Sequence, residues 1–298
     1  MVQLKTRLAD ITNRRFQIHH HAPEDIQQTS PDAAYVVERR TRYPATRRHP
    51  NDAPRLLIDG KNNVKLGTRI QKGEWLGYPL FSLTLEERAT CSDDCFMKLD
   101  CYGNSMHMAR RHIHGEALED RLSEEIADKA AKHPEGFVVR LHVLGDFYSL
   151  AYALRWHDFM DAYPALHVFG YTHRHPWAED ENDAMIGSAI ESIKHAHPNR
   201  FRVRWSSEKP MPDGATVIRR SFDGPIVPEG QICSTYITNE ASCATCGMCW
   251  ADSMRDRTIV FPLHGPLKYG AKGKGDSNIA RRLQGRNERQ YGRSKNAT

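Results

Sequence analysis

The seven cysteines fall into two groups and occur nowhere else in the 298-residue chain. Cys91, Cys95 and Cys101 form C-x3-C-x5-C, and Cys233, Cys243, Cys246 and Cys249 form C-x9-C-x2-C-x2-C. Cysteines acting only as small hydrophobes scatter singly through apolar runs, whereas these lie among Ser, Asp, Thr, Asn and Gly. The grouping predicts metal ligation. In the second group, three thiolates within seven residues plus a remote fourth suit an iron–sulfur cluster. Zinc more often takes two separated Cys pairs, or Cys with His, and is the alternative expectation for either group. The first group has only three thiols. Either a fourth ligand from Asp100, His107 or His112 closes it into a structural site, or it holds a [4Fe-4S] cluster with one iron free of cysteine. That open iron would bind a substrate or cofactor.

These ligands need a scaffold. Apolar runs predict strands at 55–58, 76–85, 136–147, 166–173, 200–207, 215–221 and 258–264. Helical patterns cover 104–114, 116–132, 150–163 and 179–195. Such alternation predicts right-handed βαβ units and a parallel sheet. The expected fold is α/β, a partial (β/α)6-type barrel with Cys-rich metal loops and basic tails, with a doubly wound sheet as the other solution. In parallel α/β folds the chemistry sits at the carboxyl ends of the strands. Those ends nominate Asp146, Tyr171 and His173 as catalytic candidates, and Gly145, Asp146 and Ser206 as cofactor-binding candidates. Asp146 either holds a ribose hydroxyl or amine, or caps the helix that starts near Ser149. His142, inside an apolar strand, reads as a hydrogen-bonded core or cleft residue, and the five tryptophans read as core or interface.

Composition narrows the class. Hydrophobic residues make up 39% and charged residues 27%, and no run approaches the roughly 20 apolar residues needed to span a bilayer. The basic N-terminus lacks an apolar signal core. A membrane or secreted protein is disfavoured, and the expected compartment is the cytoplasm, where thiols stay reduced. The net charge of +5 divides unevenly, with +4 in residues 1–50, −6 in 51–264 and +7 in 265–298. This predicts a basic, partly disordered N-terminal arm over 1–50, an α/β metal-binding domain over 51–264 with its Cys-rich segment at 233–249, and a basic tail over 265–298. The triplet His19, His20 and His21 reads as solvated loop. Basic ends attract nucleic acid by counterion release, so nucleic acid is an expected partner; the oligomeric state is not legible. No phosphate-binding P-loop, zincin or nucleophile-elbow motif occurs.

Three cysteines in a loop after an early strand, followed by βα units, resemble the radical S-adenosylmethionine enzymes. The resemblance implies a [4Fe-4S] cluster on three cysteines, an open iron that takes S-adenosylmethionine, and an auxiliary cluster on a Cys-rich C-terminal segment. The interval between Cys95 and Cys101 departs from the usual C-x3-C-x2-C, while Tyr102 after the third cysteine agrees. A nearer resemblance is to the phage and plasmid family named gene product 88. It rests on Leu76 to Leu83, Cys101-Tyr102, Gly145 to Ser149, Tyr171-Thr172 and Cys243 to Trp250, and covers about residues 56 to 262. That family implies a protein of mobile elements and assigns no reaction. Three function classes follow: a radical-S-adenosylmethionine-like enzyme, a nucleic-acid-binding iron–sulfur protein whose metal sites are structural, and a zinc-stabilised interaction protein.

Overall fold

A computed structural model describes residues 16–17, 33–63, 65–98, 101–220, 230–236 and 240–262. The described residues form eleven strands: β1 (Phe16–Gln17), β2 (Arg47–Arg48), β3 (Ile58–Asp59), β4 (Leu80–Ser82), β5 (Arg111–His112), β6 (Phe137–Leu141), β7 (Leu166–Thr172), β8 (Phe201–Ser206), β9 (Gly214–Arg220), β10 (Gly230–Ile232) and β11 (Thr258–Pro262). The α-helices are α1 (Ala33–Val37), α2 (Glu116–Lys132), α3 (Leu150–Ala162), α4 (Glu181–Ala196) and the single turn α5 (Cys243–Cys246). The main sheet has the order β10-β11-β9-β8-β7-β6-β4-β3, and β1 adds to β9. The run from β4 to β10 is parallel throughout, while β3 and β1 pair antiparallel. The sheet is open, with β3 and β10 at its ends. The fold is therefore mixed α/β with a mostly parallel sheet.

The strands β4, β6, β7, β8 and β9 lie side by side in chain order. Successive right-handed crossovers in one direction place their helices on one face. Phe137, Val139 and Leu141 of β6, Leu166 and Val168 of β7, and Phe201 and Val203 of β8 accordingly share a core with Leu118, Leu122, Trp156, Met160, Ile186 and Ile190 of the helices. His142 is buried beside this core, with Nε2 3.0 Å from Tyr152 Oη of α3. The alternate residues, Val138, Phe169 and Tyr171, face a smaller core made by Leu66, Ile70, Trp75, Ala244, Cys249 and Trp250. The sheet thus has one face covered by helices and one covered by the loops that carry chemistry.

One expected element is absent. Residues 104–114 are not a helix but a 3-10 turn (Tyr102–Ser105) leading into β5. The reason is Arg111, which is fully buried and takes the carbonyls of Gly103, Met106 and Ala109 as acceptors. Those carbonyls serve a guanidinium instead of a helical ladder. Residues 33–50 lie against the body, with β2 paired to β5. The His19–His21 triplet and residues 263–298 lie outside the described residues. No helix among the described residues is long and apolar enough to cross a membrane.

Candidate metal centre

After β4 the chain runs through Cys91, Cys95 and Cys101, and three buried arginines hold this loop. Arg111 makes two hydrogen bonds to Glu87, at 2.6 and 3.0 Å. Arg88 donates to Asn104 Oδ1 at 2.6 Å and to the carbonyls of Lys98 and Arg40. Arg174, just beyond β7, donates to the carbonyls of Thr90 (3.0 Å) and Phe147 (2.9 Å) and pairs with Asp183, which also accepts from Ser92 Oγ. A planar guanidinium presents five donors and can satisfy several buried loop carbonyls at once. From outside, Thr41 Oγ1 donates to Glu87 (2.8 Å), Tyr43 Oη to the Asn104 carbonyl (2.5 Å), and Arg39 pairs with Asp93 (2.5 Å). The three thiols are near enough that ionisation of one opposes that of the others. Burial pushes Cys95 up to about 12 and Cys101 to about 11. Such thiols become ligands when the metal displaces their proton, which is released to solvent.

The strand ends meet beside this loop. Asp146 is buried; Oδ1 accepts from the Phe147 N–H and Oδ2 from the His173 N–H, both at 2.7 Å. It ties the exit of β6 to the exit of β7 and faces Cys91 and Cys95. Burial raises its carboxyl pKa. The cap of α3 is Ser149, whose Oγ accepts from the Tyr152 N–H at 3.1 Å, so Asp146 is free of that duty. His173 Nδ1 lies 2.9 Å from the Ser206 carbonyl and Nε2 3.3 Å from Asp94 Oδ1. Acceptors at both nitrogens select the imidazolium. Burial opposes that charge, and the Asp94 carboxylate outweighs it, holding the His173 pKa above its ordinary value. Gly145, Asp146, His173 and Ser206 therefore gather at the first cysteine set. Tyr171 sits at the second set instead, its Oη 2.8 Å from Cys249 Sγ.

The second set is built differently. Ser242 and Thr245 form a reciprocal capping box at the start of α5, and Gly247 ends it in the left-handed conformation at φ +72°. One helical turn puts Cys243 and Cys246 on one side. Cys249 follows, and Cys233 arrives from the end of β10. Trp250 stacks on Trp75 (5.2 Å, 8°) and packs against Phe169 (4.6 Å), seating the segment on the sheet. Arg204 donates to the carbonyls of Cys249 (3.0 Å), Met254 (2.8 Å) and Arg257 (2.9 Å), and Arg202 pairs with Asp252 at 2.5 Å. Cys233 and Cys243 each interact with the other and with Cys246, and Cys249 with both. Burial pushes Cys243 up to about 11.

The arginines that hold the two cysteine segments are the residues that sequence reading passed over. A signal was present in RFRVRWSS: charges at alternate positions of an apolar strand put Arg202 and Arg204 on one face, where they must be satisfied inside the protein. Among the described residues, the only three His, Cys, Asp or Glu ligand atoms within 4.8 Å of one another belong to His157, Asp161 and His197. There Arg200 Nη2 donates to His197 Nδ1 at 2.9 Å, leaving the ring proton on Nε2 toward Asp161 and a cation beside the group. Asp161 stands 3.1 Å from His157 Nδ1 and 2.9 Å from His197 Nε2 at the amino end of β8, an ion-pair cluster with the Arg200 guanidinium beside it. Of the expected fourth ligands, His107 stands edge-on to Tyr43 and His112 is buried in β5, neither forming a compact ligand set with the cysteines. Asp100 lies outside the described residues.

Comparison with known proteins adds one family. The family described as gene product 88 matches residues 56–252, from the turn before β3 to just past the last cysteine. No curated protein and no solved structure matches the chain. The match spans both cysteine sets and most of the sheet, and the chain belongs to the gene product 88 family.

Proposed function

We propose that this is an iron–sulfur protein of a mobile genetic element and a redox enzyme of the radical S-adenosylmethionine kind. Cys91, Cys95 and Cys101 would hold a [4Fe-4S] cluster, and Cys233, Cys243, Cys246 and Cys249 an auxiliary one. The observation that carries the reading is the gathering of all seven cysteines into two sets, three thiols in one loop and four in a second segment, with the members of each set close enough to oppose one another's ionisation. Three closely spaced thiolates with a remote fourth, and a separate set of three, suit cubanes better than paired zinc ligands. The one-way parallel winding supports reading the open sheet as a partial (β/α) barrel.

Cys91, Cys95 and Cys101 would hold the cluster, which would supply single-electron chemistry to a bound cofactor. The chain's own residues do the rest. Arg88, Arg111 and Arg174 fix the loop through its carbonyls, so the three thiols are presented without rearrangement. Asp146 locks two strand ends together at the side of that loop, and the His173 imidazolium places a positive charge next to it. An anaerobic preparation of the full chain should contain iron and acid-labile sulfide in equal amounts and little zinc. After reduction, S-adenosylmethionine should alter its electron paramagnetic resonance spectrum. Stoichiometric zinc without sulfide would overturn the cluster assignment; a cluster indifferent to S-adenosylmethionine would overturn the open iron.

A further inference from the structure

Five of the arginines at the two cysteine sets are committed to named acceptors, and a sixth is not. Arg88, Arg111 and Arg174 hold carbonyls of the first loop, and Arg202 and Arg204 hold the second segment. Arg140 rises from β6 on the same face as Val138, between the two sets. Its neighbours are Tyr102 of the first loop, and Tyr171, Cys243 and Cys249 of the second site. Its Nε is buried with no hydrogen-bond partner, and its guanidinium makes no hydrogen bond or ion pair to any described residue. Lys65 is near enough to be repelled by it, which adds to the positive potential. A buried guanidinium nitrogen left without an acceptor is unfavourable, and an anionic ligand would relieve it.

Cys91, Tyr102, Arg140, Tyr171 and Cys243 are each only partly buried, and Arg140 lies close to Tyr102, Tyr171 and Cys243, so solvent and small solutes reach this ground between the two sets. We propose that this ground binds a small molecule carrying a carboxylate or phosphate group, and that Arg140 is the residue that recognises its oxyanion. A guanidinium pairs with either group through two parallel hydrogen bonds, and Tyr102 and Tyr171 flank the position. The inference deepens the functional reading by naming the substrate class, and it rests on that reading only for the reaction the anion undergoes. The competing role for Arg140 is counter-charge to the thiolates of the second set.

The test titrates the full-length, metal-loaded protein with malonate and with inorganic phosphate, following tyrosine difference absorption and the unfolding midpoint. At least one anion should give a saturable change in both; malonate alone assigns a carboxylate ligand, and phosphate alone a phosphate. Arg140→Met should weaken that binding by about tenfold or more, the scale of a charge-assisted pair, and Arg140→Lys should retain part of it if the methionine variant does not fold. Absence of a saturable response in the wild type, or an unaltered response in Arg140→Met, would overturn the proposal. So would loss of metal from Arg140→Met with no anion binding by the wild type, which assigns the counter-charge role. Finding zinc instead of iron leaves the anion titration readable, so the two failures are distinguishable.

Discussion

Gly145 shows how tightly single residues constrain the first cysteine set. It has φ +82°, and a Cβ there would stand 2.4 Å from Thr90 Oγ1 and 2.7 Å from Leu85 Cβ. Thr90 is next to Cys91, and its hydroxyl accepts from the Asp146 N–H at 3.2 Å. The glycine therefore lets the exit of β6 press against the base of the cysteine loop. Sequence reading nominated Gly145 as a cofactor-binding residue, and the contact seen is with the loop itself. Gly145→Ala combines a positive-φ penalty with overpacking, together about 2–5 kcal/mol. The expected outcome is a lower unfolding midpoint with metal lost from the first set and kept by the second. Metal analysis of Gly145→Ala combined with Cys246→Ser checks this, because that double variant should be nearly metal-free. Full metal retention by Gly145→Ala would show that the loop does not depend on this close approach.

At the scale of elements, α2, α3, α4, β6, β7 and β8 were legible because each is long, periodic and bounded by caps or turns. The short pieces β5, β10 and α5 were not, since two to four residues carry no period and their shape follows from tertiary partners such as Arg111. Both cysteine sets were legible from residue type and spacing alone; the arginines that hold them needed the sheet register, because nothing local marks a charged side chain as buried. These elements also bury histidines. Burial lowers His142 to about 3, and His112 and His167 to about 4, from 6.5. Between pH 6.5 and about 4 the unfolded chain takes up protons at these positions and the native chain does not. Their contribution is complete above pH 6.5 and is lost as pH falls, at about 1.4 kcal/mol per unit for each histidine. Urea midpoints should drop steeply from pH 7 to 5. His142→Gln, which can still reach Tyr152 Oη, should flatten that slope; an unchanged slope would mean that His142 titrates normally.

For the whole molecule the question is which charges are free to meet a partner. Residues 1–32 hold four basic and four acidic side chains, so the +4 of the N-terminal fifty residues resides in 33–50. That stretch lies against the body, and three of its five arginines face acids: Arg39 pairs with Asp93 at 2.5 Å, Arg47 with Glu86 at 2.7 Å, and Arg40 with Glu38. Charges neutralised in this way release few counterions from a polyanion. The candidate for nucleic-acid contact narrows from two tails to residues 265–298, with nine Lys/Arg against two Asp/Glu. Removing 265–298 should abolish duplex DNA binding and its dependence on salt, while removing 1–32 should change neither. The two truncations leave the pairing of 33–50 with the first cysteine loop in place, so metal content should match the full chain and report that the body is intact. Fluorescence anisotropy with a labelled duplex between 50 and 200 mM salt resolves the effect, because each lost phosphate contact reduces the logarithmic salt slope by about 0.9. Retained binding with an unchanged slope after loss of 265–298 would place the contact on the body, whose net charge of −6 makes that the surprising result.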